Sequence, residues 1–223
     1  MVVSPWRKVY VYRMGGKRGT APFTVTGNLV DVVSGTIAPA SVHVRDGTIA
    51  EIIPEARKQS RYITPGLVDS HVHIESSMLA PAEFGRVALT HGTVAAVCDP
   101  HEIANVLGMA GIEYMIANAR TSPFRFSFAA PSCVPATPFE TSGALIGVPD
   151  IEDLLSRKEI THLGEVMNYP GVIAGDPEVL AKLGAAKRSG KPIDGHAPGL
   201  RGCLLYTSPS PRDRTRSRMP SSA

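Results

Sequence analysis

The chain has 223 residues, 43% apolar and 19% charged, values of a globular rather than a disordered protein and enough for one sizeable domain or one plus part of another. No run nears the roughly 18 apolar residues that cross a membrane, and three scattered cysteines, Cys98, Cys133 and Cys203, argue against a disulfide framework and for a reducing, cytoplasmic setting. Five arginines from Arg201 onward, set against Asp213 alone, give a surplus of four within the net charge of +3; the rest of the chain, at −1, is near neutral, so charge implies no nucleic-acid partner.

Residues 1–22 hold Arg7, Lys8, Arg13, Lys17 and Arg18, with no acid through residue 20. Lacking a sustained amphipathic period, they read as an irregular amino terminus rather than a transit peptide. Residues 23–62 carry short β-like runs, Phe23 to Val25, Asn28 to Val33, Ser41 to Arg45 and Thr48 to Ile53. Turn chemistry divides them at Thr26-Gly27, Ser34-Gly35 and Asp46-Gly47, the last a hairpin signal. This small β domain, part of a composite sandwich, is too small to be stable alone.

From residue 63 the texture becomes strand then helix, repeated. Strands are predicted at Leu67 to Ile74, Gly92 to Cys98, Phe124 to Ala130, His162 to Met167 and Pro192 to His196. Helices are predicted at Pro81 to Thr90, at Ile103 to Ala119 with Val106, Leu107, Ile112, Met115 and Ile116 as the apolar face, at Asp150 to Arg157 with Asp150 as cap, and at Pro177 to Ser189 capped by Asp176. Alternation of this kind builds a parallel sheet. Polar residues recur where the strands end: His71 and His73, Asp99 and His101, Glu165, His196. That is the functional rim of a (β/α)8 barrel, of which about five units are present in residues 63–200. No Gly-x-Gly-x-x-Gly follows a strand, which disfavours an open dinucleotide-binding sheet.

Within Pro65-Gly66-Leu67-Val68-Asp69-Ser70-His71-Val72-His73-Ile74-Glu75, strand alternation points His71 and His73 the same way, about 7 Å apart. Two neutral imidazoles so placed form a half-site for a divalent cation. A bare His-x-His pair is also common in ordinary strands, but a strand end this polar packs poorly without a site. His43, His91 and His162 need no ligand where they fall, and Cys98 and Cys133 read as small buried residues.

With these residues placed, the sequence resembles the amidohydrolase superfamily of metal-dependent hydrolases, and within it the adenine deaminases. The resemblance rests on residues 65–77 together with Asp-Pro-His-Glu-Ile-Ala-Asn-Val (99–106), Pro-Ser-Cys-Val-Pro-Ala-Thr (131–137), Gly-Glu-Val-Met-Asn-Tyr-Pro-Gly (164–171) and Ile-Asp-Gly-His-Ala-Pro-Gly (193–199). It implies a truncated barrel of the amidohydrolase type with a binuclear divalent metal site, manganese or iron. It implies hydrolysis of adenine to hypoxanthine and ammonia by a metal-activated hydroxide, in purine salvage, by a protein that is a homo-oligomer at full length. Carried over by position, His71 and His73 would hold one metal, Glu165 would bridge and serve catalysis, and His196 would hold the second. Glu75, Asp99, His101 and Glu102 would orient ligands or touch the purine; Asp99 also fits a turn residue before Pro100.

The family pattern calls for a further histidine and a proton-shuttling aspartate after His196, and neither appears. Residues 201–223 instead form a Ser, Pro and Arg stretch without apolar period, read as a non-native tail joined to an amino-terminal fragment. Such a fragment is expected to fold poorly and to be inactive. The alternative enzyme reading is a metal-dependent amidohydrolase acting on a cyclic amide or another aminated heterocycle. A non-catalytic nucleic-acid module with a basic tail is the alternative of another class, disfavoured by the neutral body. The zinc base deaminases are excluded by the lack of any Cys-x-x-Cys.

Overall fold

The computed structural model describes residues 21–137, 139–199 and 201, which divide into one compact unit ending at Gly66 and another beginning at Leu67. The readings made for residues 1–20 and for the tail beyond Arg201 lie outside the described residues.

In the first unit β1 (Phe23–Asp31) pairs antiparallel with β2 (Thr36–Arg45), β2 with β3 (Thr48–Pro54), and the short β4 (Tyr62–Ile63) lies parallel to β1, giving the order β3-β2-β1-β4. Asp46 and Gly47 both take positive φ, 52° and 70°. That left-handed pair matches a two-residue hairpin to the strand twist. Thr26-Gly27, expected as a turn between two strands, instead lies inside the single strand β1. Gly27 is needed there for close approach: a Cβ would stand 2.9 Å from Ile63 Cγ1.

In the second unit five parallel strands, β5 (Leu67–Val72), β6 (Thr93–Cys98), β7 (Arg125–Ala130), β8 (Ile160–Val166) and β9 (Ile193–Gly195), pair strictly in chain order. The connections carry helices α1 (Pro81–Thr90), α2 (His101–Leu107), α3 (Met109–Ala119), α4 (Val148–Ser156), α5 (Tyr169–Ala174) and α6 (Pro177–Arg188). In a flat sheet the first and last of five strands would stand about 19 Å apart. Yet His71 Nδ1 on β5 lies 3.2 Å from Asp194 Oδ2 on β9. The sheet therefore curls, as half of a (β/α)8 barrel does.

The core between sheet and helices is built from Phe128 on β7, Ile160, Leu163 and Val166 on β8, Ile112 and Met115 on α3, Ile151 and Leu154 on α4, and Leu183 and Ala186 on α6. Gly85 lets α1 settle on the start of β7, since a Cβ there would meet Phe124 Cβ at 2.6 Å. The helix expected over Ile103 to Ala119 is two helices, broken at Gly108 with φ 57°. The break turns Val106 and Leu107 out to solvent, 62% and 55% exposed, while Ile112, Met115 and Ile116 stay buried. The first barrel strand is shorter than expected. It stops at Val72, and Ile74–Ser77 form a turn of 3-10 helix.

Capping follows local chemistry. Asp150 is not the N-cap of α4, which begins at Val148 after Gly147, but the residue three further on, whose Oδ2 accepts from Gly147 N at 2.9 Å. Asp176 does cap α6: its Oδ1 accepts from Glu178 N at 2.9 Å and Val179 N at 3.1 Å, with Pro177 in the first turn. Asp176→Ala is expected to cost about 1 kcal/mol. Urea unfolding monitored by circular dichroism would show it as a lower midpoint, with Asp176→Asn near the parent.

Candidate metal centre

The strand ends bring four residues from distant parts of the chain to one point. His71 lies on β5 and His73 follows it in extended backbone, φ −101° and ψ 100°, so the two-residue alternation survives the end of the strand. Their rings converge edge to face with centroids 4.9 Å apart, and the two Nε2 atoms stand 3.1 Å from each other. Glu165 on β8 meets both, Oε1 at 3.2 Å from His71 Nε2 and Oε2 at 3.5 Å from His73 Nε2. His196, just past β9, puts Nδ1 3.2 Å from Glu165 Oε1.

Each imidazole is held by its other nitrogen. His71 Nδ1 faces the Asp194 carboxylate, and His73 Nδ1 lies 3.0 Å from the Asp99 carbonyl oxygen and 3.4 Å from Glu102 Oε2. With acceptors at both Nδ1 atoms, the two Nε2 atoms are left facing inward. A ligand atom from each of His71, His73 and Glu165 lies within 4.8 Å of the others. Two imidazoles and a carboxylate so arranged fit a borderline divalent cation.

Glu165 is fixed from every side. Its backbone N–H donates to Asp99 Oδ2 at 2.8 Å, and its carbonyl accepts from Ser132 Oγ. The Ser132 carbonyl in turn accepts from the buried Lys182 Nζ at 3.2 Å, which also donates to Ile146 O at 2.7 Å and pairs with Glu178 at 3.2 Å. The Asp99 carboxylate rests on Gly164, where a Cβ would come within 2.4 Å of Oδ2.

Electrostatics follow this packing. Burial pushes the Glu165 carboxyl up, but hydrogen bonds from His71 and His73 outweigh it and hold the group well below the usual carboxylate range. Hydrogen bonds to Asp194 and Glu165 raise His71 to about 9 against the effect of burial. The facing carboxylates of Glu102 and Glu165 raise His73 to about 11.

The other predicted residues gather beside His73 and Glu165. His101, at the start of α2, stacks edge to face on His73 with centroids 4.6 Å apart, and its Nδ1 is 3.6 Å from Asp99 Oδ2. Glu102 Oε1 accepts from Ser76 Oγ at 3.2 Å. Glu75 turns toward α2, where Oε1 accepts from Ile103 N at 3.3 Å, and burial raises its carboxyl.

Two residues not singled out by motif enter the picture. Asp194 lies on β9 two positions before His196, which follows the strand, and that spacing was the available signal. His162 is buried on β8 with Nδ1 2.9 Å from Thr161 Oγ1, and burial lowers its pKa.

A half-barrel sheet whose strand ends gather His-x-His, glutamate and histidine presents the donor set of a divalent-metal site. The chain belongs to the amidohydrolase family, whose model matches residues 62–210. Among curated proteins it is 58% identical to the adenine deaminase of Salinibacter ruber over 182 residues, which cover 82% of this chain and 33% of that protein. It is 58% identical to the adenine deaminase of a Sulfurovum species over 175 residues (78% of this chain, 33% of that protein) and 50% identical to that of Methanosarcina acetivorans over 181 residues (81% and 33%). The chain thus spans about a third of the length of the curated relatives it matches.

Cations bind neutral imidazole, whereas the facing carboxylates favour the protonated form of His71 and His73. Raised pKa values mean that protons compete with the metal until the solution is alkaline. Equilibrium dialysis against Mn2+ is therefore expected to show affinity rising steadily from about pH 6 to about pH 9. A flat or falling profile contradicts this electrostatic account.

Proposed function

We propose that the chain carries the metal-binding portion of an adenine deaminase, hydrolysing adenine to hypoxanthine and ammonia in purine salvage. The observation that supports the reading most directly is the convergence of His71, His73 and His196 on the two oxygens of Glu165, in a chain 50–58% identical to proteins of that name. His71 and His73 would hold one divalent ion, Glu165 would bridge to a second, and His196 would serve the second; nitrogen and carboxylate donors without thiolate suit manganese or iron. Such a pair supplies a water activated near neutral pH for attack on the ring carbon that bears the amine.

The residues of this chain do the positioning. Asp194 and the Asp99 carbonyl orient the two imidazoles, and the Asp99 carboxylate and Ser132 fix the backbone of Glu165. Glu75, His101 and Glu102 brace the flank of His73 or meet the purine. Residues 23–62 are read as part of a composite β-sandwich domain and residues 63–200 as part of the catalytic barrel, in a cytoplasmic protein that assembles with copies of itself. Among the described residues no helix is long and apolar enough to cross a membrane.

The chain assayed alone is expected to form no hypoxanthine, because it spans about a third of its relatives. A chimera tests the reading: residues 23–199 replace the matching segment of the Salinibacter ruber protein. The chimera is expected to convert adenine, with cytosine and hydantoin as negative controls. Glu165→Ala is expected to abolish turnover, and Asp194→Asn to lower metal affinity or activity roughly 10- to 100-fold. A well-folded, metal-loaded chimera that ignores adenine but turns over another ring would sink the substrate assignment.

A further inference from the structure

Among the described residues four buried side-chain atoms have no hydrogen-bond partner: Asp99 Oδ1, His101 Nδ1, Glu102 Oε2 and Asn105 Oδ1. All come from one segment of seven residues that leaves β6 and forms the first turns of α2. Buried polar atoms left bare cost roughly 1–3 kcal/mol each, more when charged, so a cluster of them calls for a ligand. Three of the four are oxygens that only accept at neutral pH, and the fourth is an imidazole nitrogen. What is missing is an electron-pair acceptor.

Local donors are already committed. Ser76 Oγ donates to the other oxygen of Glu102, and Glu165 N–H to the other oxygen of Asp99. Each carboxylate is thus half satisfied and half bare. Asp99 is only 2% exposed. The closest approaches to the bare atoms, His73 Nδ1 at 3.4 Å from Glu102 Oε2 and Asp99 Oδ2 at 3.6 Å from His101 Nδ1, lie outside hydrogen-bonding geometry. Ligand atoms of His73, His101 and Glu102 nevertheless fall within 4.8 Å of one another, and so do those of Asp99, His101 and Glu165. His101 is common to both groups.

We propose that the segment from Asp99 to Asn105 builds a further divalent-cation site, centred on His101 and Glu102 and flanked by His73 and Asp99. It adjoins the centre at His73 and is additional to the ions assigned to His71, His73, Glu165 and His196. Imidazole and carboxylate donors select a manganese- or zinc-like ion over calcium or magnesium. A cation here neutralises the facing carboxylates and holds α2 against the strand end that carries His73. The site borders the proposed deaminase centre at His73, whereas His101, Glu102 and Asp99 are not ligands of the ions proposed there, so it can fail or stand independently of that reading.

The test is equilibrium dialysis of the full chain against Mn2+, with bound metal counted by atomic emission and the fold followed by circular dichroism. The variants are His71→Ala, which removes a ligand of the proposed catalytic site only, and the double variant His101→Ala with Glu102→Gln. Wild type is expected to retain about one equivalent more than the double variant, and His71→Ala to keep that equivalent. Glu102→Gln alone, the gentler change, is expected to weaken one phase of the isotherm at least roughly tenfold. Equal Mn2+ content in wild type and the double variant, together with an unshifted isotherm for Glu102→Gln, overturns the proposal and leaves water as the occupant. Loss of metal in His71→Ala with no effect of the double variant would support the catalytic site and sink this one.

Discussion

Everything at the metal centre depends on the curl of the parallel sheet. Side chains on β5 and β9 touch although three strands lie between them, with His71 and Asp194 at 3.2 Å. In a flat sheet those groups would be separated by about four strand spacings of roughly 4.8 Å each. Curvature turns a row of strand ends into an enclosure, so residues 123 positions apart in sequence share one site. It also makes Glu165 reachable from β5, β8 and the end of β9 at once.

That enclosure gathers charge that the fold must hold in place. Glu165 is nearly buried, and an ionised carboxylate removed from water is costly unless it is paired and hydrogen-bonded. Three histidines face its oxygens, and its backbone is gripped by Asp99 on one side and Ser132 on the other. The chain of support reaches α6, where buried Lys182 donates to the carbonyls of Ser132 and Ile146. Through these bonds α6 helps to hold the backbone that carries the Glu165 carboxylate. Gly164 completes the arrangement, because only a residue without a side chain lets the Asp99 carboxylate lie against the backbone of β8.

Much of the second unit was legible in the sequence because its periods are strong and its punctuation is local. Pro81 and Pro177 start helices, Asp176 caps one, and the five strands fall where apolar runs predicted them, within a few residues. The misreadings share a physical origin. Gly27 has the chemistry of a turn, but tertiary contact with Ile63 keeps it in a strand. Gly108 has the chemistry of a tolerated helix residue, but its φ of 57° splits one expected helix into two and moves Val106 and Leu107 off the core. A glycine permits several backbone states, and the choice among them is made by packing.

The sequence by itself singled out the candidate residues for the chemistry. His71 and His73 sit two apart, Asp99, His101, Glu165 and His196 each follow an apolar run, and the order of these motifs points to the amidohydrolases. Only the tertiary structure decided how they are shared. It pairs Asp194 with His71, fastens Asp99 to the backbone of Glu165, and leaves bare polar atoms in residues 99–105 near His73. The reason is geometric. Spacing along a strand fixes which face a side chain takes, whereas the distance between side chains on different strands is set by how far the sheet curls.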